Sequence, residues 1–144
     1  MIKIIYPNIK PTIKTEKDKE YIFCIVRKRW YVITPEEWVR QNFLNYLHYT
    51  LGFSLQIIAV EKQITLSELK KRFDIVVYKD SKPFMIIECK ELNVPLSEKT
   101  IAQVLRYNAI LQAPYVVITN GSYCKGFLKD EDSFLEIFEL PNAV

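Results

Sequence analysis

The 144-residue chain has little of what builds the commonest small reactive sites. It carries one histidine, His48, so His-based zinc chemistry and a Ser-His-Asp triad have little material. His48 itself reads as a partly exposed helix residue. The three cysteines, Cys24, Cys89 and Cys124, are odd in number, widely spaced and contain no C-x-x-C pair, which argues against a disulfide framework and a zinc cage. Glycine is scarce at three residues while aromatics reach 13%, and that balance does not indicate disorder. No apolar run approaches the roughly 18 residues that span a bilayer. Met1-Ile2-Lys3-Ile4-Ile5-Tyr6-Pro7 is too short for the apolar core of a signal peptide, so no membrane partner and a cytoplasmic location are expected. The net charge of +3 is too small to argue for a nucleic-acid partner by itself.

What is present is an ordinary globular composition, 49% hydrophobic and 26% charged, in a length that suits one domain with a real core. Residues 1–20 are Lys-rich with Pro7 and Pro11 and read as a loosely structured arm; residues 21–144 read as the domain. Tyr21–Val26 and Trp30–Ile33 are β-rich and flank Arg27-Lys28-Arg29, which predicts a hairpin. Thr34-Pro35-Glu36-Glu37 is a helix start, with Thr34 as N-cap, Pro35 at the first helical position and Glu37 at the capping-box position. That helix runs to about Leu51 and stops at Gly52, with Val39, Phe43, Tyr46, Leu47 and Leu51 as its core stripe. Phe53–Ile64 leads into a strand, and Asp74–Tyr78 with Pro83–Lys90 forms a central hairpin. A second helix is expected from Ser97 to about Leu111, then a buried strand at Tyr115–Thr119 and a last strand pair at Tyr123–Leu128 and Phe134–Phe138. The order predicts an α/β fold: an α/β/α arrangement around a mixed sheet of about four strands, plus the N-terminal hairpin.

The central hairpin carries charge where a buried strand should have none. Asp74 opens Ile-Val-Val-Tyr, and Glu88 follows Phe-Met-Ile-Ile; both runs are apolar on both faces, as interior strands are. Asp, Glu and Lys are rarely buried unless paired or bound to a metal. Glu88 and Lys90 are two apart and share a face, while Cys89 points the other way. If Tyr78 sits opposite Phe84, counting back sets Asp74 opposite Glu88. Two carboxylates and an ammonium then converge, a site suited to Mg²⁺ or Mn²⁺ with a lysine beside it. The rival reading is a surface hairpin with a cross-strand ion pair.

The first helix adds candidates. Counting about 100° per residue, Glu36 lies on the side of Val39, Phe43 and Leu47, facing the sheet, and Glu37 points aside. Glu36 is therefore the better third carboxylate and Glu37 the alternative, although both also suit a helix N-terminus through the macrodipole. On the second helix Gln103 and Tyr107 are stacked four apart and could orient the lysine or a phosphate oxygen. Lys71 and Arg72, in the cluster Lys70-Lys71-Arg72, with Arg106 and Arg40, are candidate phosphate contacts; Arg27-Lys28-Arg29 is another basic cluster of that kind.

Thr34-Pro35-Glu36-Glu37-Trp38-Val39-Arg40-Gln41, Arg72-Phe73-Asp74-Ile75-Val76, Ile87-Glu88-Cys89-Lys90 and Gln103-Val104-Leu105-Arg106-Tyr107-Asn108 resemble the N-terminal nuclease domain of type I restriction enzyme R subunits. More narrowly they resemble small stand-alone proteins built from it, a branch of the PD-(D/E)xK nucleases. The resemblance implies a restriction endonuclease-like core and Mg²⁺-dependent (or Mn²⁺-dependent) hydrolysis of DNA phosphodiesters. Asp74 and Glu88 would be metal ligands, with Glu36 and the Cys89 main-chain carbonyl completing the oxygen set. Lys90 would position the attacking water, and Gln103 and Tyr107 match the family's Q-x-x-x-Y motif. The R subunits also carry an ATP-driven motor, and no Walker motif occurs among these residues. DNA is thus the expected partner, targeting is expected from another protein, and the oligomeric state stays open, a homodimer included. The alternative is a catalytically silent nucleic-acid-binding or complex-forming subunit of a defence or repair system. Alanine at Asp74 or Lys90 is expected to abolish cleavage and leave the fold intact.

Overall fold

The computed structural model describes residues 1–66 and 68–143; Val144, the expected end of the domain, lies outside them. Its elements are β1 (Ile2–Lys3), β2 (Ile13–Glu16), β3 (Lys19–Cys24), β4 (Arg29–Val32), α1 (Pro35–Asn45), β5 (Ile58–Leu66), β6 (Leu69–Lys79), β7 (Lys82–Cys89), α2 (Glu98–Leu111), β8 (Tyr115–Thr119), β9 (Tyr123–Asp130) and β10 (Ser133–Ile137). The main sheet is mixed and runs β1-β9-β8-β7-β6-β5, with β10 also on β9. Among the described residues only β7 and β8 pair parallel, joined through α2 in the crossover that a parallel pair needs.

The central strands explain why the sheet is covered twice. Ile75–Val77, Met85–Ile87 and Val116–Ile118 are buried throughout, and their side chains alternate between two apolar clusters. Ile75, Val77, Met85, Ile87 and Val117 pack with Val39, Phe43, Leu44 and Leu47 of α1. Val76, Ile86, Val116 and Ile118 pack with Ile101 and Val104 of α2. An interior strand apolar on both faces thus acquires one helix on each.

The first helix begins as the Thr-Pro-Glu-Glu run predicts. Thr34 Oγ1 accepts the Glu37 N–H at 3.0 Å, and Pro35 takes the first helical position, where its missing N–H costs nothing. Past Asn45 the helix widens into a π-helical turn, Tyr46–Thr50, and it stops before Gly52, whose φ of +83° suits a residue without Cβ. Ser97 caps α2 by accepting the Thr100 N–H. Gln112 closes that helix in the left-handed region, and the Asn108 amide holds both the N–H and the C=O of Ala113.

Four expectations need correction. Residues 1–20 are not a loose arm: Ile2 and Lys3 pair with Cys124 and Tyr123 at the sheet edge, and Ile13–Glu16 pairs with β3. The N-terminal hairpin is part of a separate three-stranded sheet, β2-β3-β4, and the main sheet has seven strands rather than about four. Strand β6 starts at Leu69, five residues before Asp74, because β5 pairs with it along most of its length. Finally, Tyr78 pairs with Pro83, not Phe84. A tight two-residue turn at Asp80-Ser81, both at positive φ, sets one register, and an irregularity between Val77 and Tyr78 restores the expected one from Val77↔Met85 to Ile75↔Ile87.

Candidate functional site

Beyond Ile75↔Ile87 the ladder between β6 and β7 ends, and Asp74 and Glu88 are the next residues on each strand. There the Asp74 side chain takes over from the backbone: its Oδ2 accepts the Cys89 N–H at 2.8 Å. On the other side of β6, Val60 pairs with Ile75 and Lys62 with Phe73, which brackets Glu61 opposite Asp74. Glu61 stands at φ +52°, an uncommon conformation for a side-chain-bearing residue in a strand. Asp74 therefore lies between two glutamates across the sheet, one of which the sequence did not single out.

Helix α1 delivers the rest. Arg40 is buried, and its guanidinium meets Glu37 Oε1 at 2.7 Å, Asp74 Oδ1 at 2.8 Å, Glu36 Oε1 at 3.1 Å and Glu61 Oε1 at 3.3 Å. It is not free to contact phosphate, so its assignment as a DNA contact is corrected: the buried carboxylates of Glu37 and Asp74 draw it inward. Glu37 is also buried, bonded to Arg40, Arg27 and Gln41. Burial alone would raise its carboxyl pKa, but Gln41, Arg40 and Arg27 outweigh it and hold it below the ordinary glutamate value. Glu37 thus anchors two arginines and, among the described residues, gives no reciprocal cap, and it is more buried than Glu36, contrary to the helical count. Arg27, part of a basic cluster that the sequence offered for phosphate contact, lies 3.5 Å from the Tyr31 ring centroid and reaches Glu37 and Glu61.

Glu36 does reach the cluster, half-exposed at its rim. Burial and then the Asp74 charge raise its pKa, against Arg40 and Lys90. Glu88 is the most perturbed carboxyl. Burial first, then Asp74, by its charge and by a hydrogen bond it can share only with a protonated neighbour, push Glu88 up to about 8. Lys71 and Lys90 oppose that rise, Lys71 Nζ lying 3.8 Å from Glu88 Oε2. That oxygen is buried and has no hydrogen-bond partner among the described residues. Lys90 acts on both Glu36 and Glu88 and has no carboxylate within 4 Å among the described residues. Its main-chain N–H is fixed by the Thr119 C=O at 2.8 Å. Five carboxylates (Glu36, Glu37, Glu61, Asp74, Glu88) therefore face four cations (Arg27, Arg40, Lys71, Lys90), one negative charge in excess when all are ionised.

The second helix contributes less directly. Tyr107 lies under Lys71, its ring centroid 5.1 Å from Nζ. Gln103 and Arg106 are exposed on α2, with no hydrogen bond to the cluster among the described residues. Arg72 is exposed on β6. A cavity of about 390 Å³ is lined by Pro35 and Glu91, the chain neighbours of Glu36 and Lys90, together with Ile33, Trp38 and Leu92.

Asp74, Glu88 and Glu36 present hard oxygen donors, and the buried Glu88 Oε2, with no hydrogen-bond partner among the described residues, fits a divalent cation in chemistry. Among the described residues, however, no group of three or more His, Cys, Asp or Glu is drawn together tightly enough to hold an ion as it stands. Arg40 is what lies among the carboxylates instead. No helix among the described residues is long and apolar enough to cross a membrane.

Comparison with known families finds a match to the model described as type I restriction enzyme R protein N terminus, over residues 35–141. The three-stranded sheet, which ends at Val32, precedes the matched region. Comparison with curated proteins finds no match.

Proposed function

Because this chain belongs to the family of type I restriction enzyme R protein N-termini, we propose that it is a metal-dependent DNA endonuclease domain. Membership supports a role in a restriction system; hydrolysis of phosphodiesters is our reading of the site. The mixed sheet between α1 and α2 is read, in the same way, as a restriction endonuclease-like α/β/α core with strands added at its edges.

The observation that carries the proposal is the convergence of Asp74 and Glu88 at the end of their shared ladder, with Lys90 just past the end of β7 and Glu88 Oε2 buried with no hydrogen-bond partner among the described residues. Asp74, Glu88, Glu36 and the Cys89 carbonyl would hold Mg²⁺ or Mn²⁺, which supplies Lewis-acid polarisation of the scissile phosphate when bound. The chain's own groups do the remainder. Lys90, held through its backbone and with no carboxylate within 4 Å of its tip among the described residues, orients the attacking water and offsets charge as the phosphorus becomes pentavalent. Lys71, braced on Tyr107, offers positive charge beside Glu88, and Arg72 and Arg106 reach the neighbouring phosphates. Gln103 stands on the face of α2 that carries Tyr107 and orients the substrate backbone. Targeting to a DNA locus falls to a partner protein.

The test is cleavage of supercoiled, linear duplex, branched and single-stranded DNA with Mg²⁺ or Mn²⁺. Cleavage that disappears in Lys90→Ala supports the reading, whereas undiminished cleavage in that variant sinks it. The second reading, a silent nucleic-acid-binding or complex-forming subunit, is favoured by the position of Arg40 among the carboxylates. It predicts DNA retention without cutting under every cation condition.

A further inference from the structure

Arg40 makes an arrangement that hydrogen bonding alone does not explain. A guanidinium carries five N–H donors: two on each terminal nitrogen and one on Nε. Here the Nη2 nitrogen, with two hydrogens, stands against three carboxylates, Asp74 at 2.8 Å, Glu36 at 3.1 Å and Glu61 at 3.3 Å. Nη1 serves Glu37. Nε is buried and has no partner among the described residues. Nη2 spends its two hydrogens on Asp74 and Glu36. Glu61 faces it as an ion pair without a hydrogen bond while Nε stands idle, so one of the three carboxylates is held by charge alone.

Two further facts give that a direction. Asp74 has one oxygen committed to the backbone, since Oδ2 accepts the Cys89 N–H. Oδ1, the oxygen free of the backbone, is the one Arg40 holds. In addition, Glu61 Oε1 lies 3.3 Å from Nη2, so the hydrogen that Nη2 now gives to Asp74 can turn, on leaving it, to a carboxylate already beside it. Glu61 is kept in position for this by a left-handed backbone in the middle of a strand.

We propose that Arg40 is the resident counter-ion of this cluster: it yields Asp74 Oδ1 to an entering divalent cation and falls back on Glu37 and Glu61. The inference rests on the reading that the cluster takes such a cation, and it assigns two residues, Arg40 and Glu61, that set how strongly. They are positioning residues, acting through Asp74.

The experiment is calorimetric titration of the full chain with Mn²⁺ alone, with far-UV circular dichroism as the check on folding. Arg40→Gln should bind Mn²⁺ at least tenfold more tightly than wild type, because a competing positive charge has gone. Glu61→Gln, at a more exposed position, should bind several-fold more weakly, because Arg40 loses its fallback and stays on Asp74. In the Arg40→Gln background, Glu61→Gln should have little further effect, which a merely electrostatic contribution of Glu61 would not predict. Equal or weaker binding by a folded Arg40→Gln overturns the proposal alone. Should that variant not fold, unchanged or tighter binding by Glu61→Gln overturns it equally. If wild type and all variants bind no Mn²⁺, the metal reading falls and takes this proposal with it.

Discussion

The Asp74 carboxylate accepts the Cys89 N–H at 2.8 Å through one oxygen and the Arg40 guanidinium at 2.8 Å through the other. A residue whose two oxygens hold both a strand and a helix is not a neutral place for alanine. Asp74→Ala is expected to cost on the order of 3 kcal/mol, as removal of one partner of a buried ion pair does. Asp74→Asn keeps an acceptor for Cys89 and should cost much less. Thermal melts of the two variants check this; equal melting temperatures would mean that Cys89 and Arg40 do not depend on Asp74.

Lys90 allows the cleaner catalytic test. Its ammonium has no carboxylate within 4 Å among the described residues, so Lys90→Ala should leave the melting temperature within about 2 °C of wild type, as changes outside structural networks do. Cleavage should fall by at least 10²-fold, the range expected when a charge-stabilising group is lost. A variant as active as wild type would remove Lys90 from the mechanism.

Glu88 should give the metal-free protein a pH signature. Folded, it keeps its proton up to about pH 8; unfolded, a glutamate releases it near pH 4.3. The folded state binds the extra proton across that window, so its contribution is complete below about pH 4 and is lost as pH rises towards 8. Melting temperatures measured in a chelator from pH 5 to 8.5 should therefore decline in wild type. Glu88→Gln should flatten this slope and melt several degrees higher than wild type near pH 8. A slope identical in both proteins would place the titration elsewhere.

The start of α1 sets where Glu36 and Arg40 stand. Thr34→Ala removes the side-chain acceptor for the Glu37 N–H and should lower stability by about 1 kcal/mol, some 2–4 °C in melting temperature for a chain of this size. Thr34→Ser should restore most of it. Loss of stability by Thr34→Ser equal to that of alanine would show that the hydroxyl does not matter.

DNA contacts should divide along exposure. Arg72→Ala and Arg106→Ala are each expected to weaken binding and reduce the slope of log affinity against log salt by about one, in fluorescence anisotropy without divalent cation. Arg40→Gln should leave that slope unchanged, its guanidinium being enclosed by carboxylates. A reduced slope for Arg40→Gln would return Arg40 to the DNA surface.

The elements that the sequence declared most plainly were those governed by neighbours in the chain. Thr34-Pro35 fixed a helix start through local capping, and Ser97 did the same. The Ile-Val-Val and Met-Ile-Ile runs announced interior strands, and counting residues set Asp74 opposite Glu88. What escaped depended on distant partners. Ile2 and Lys3 become a strand only because β9 presents an edge more than a hundred residues away. Glu61 carries no local mark, since its place follows from pairing with β6 and from a backbone angle that no pattern encodes. Arg40 did leave a trace, four residues beyond Glu36 on one helix face, yet an arginine in a polar-looking helix reads as surface until its carboxylates are known. Glu36 and Glu37 exchanged burial for the same reason: the arginines, not the apolar stripe, decide which glutamate goes inside.

The irregularity between Val77 and Tyr78 separates two registers within one hairpin, that of the Asp80-Ser81 turn and that of the strand ends bearing Asp74 and Glu88. It works as a slip joint. A change of one residue in the turn can be absorbed there, so the outer loop is open to variation in length while the facing carboxylates keep their alignment.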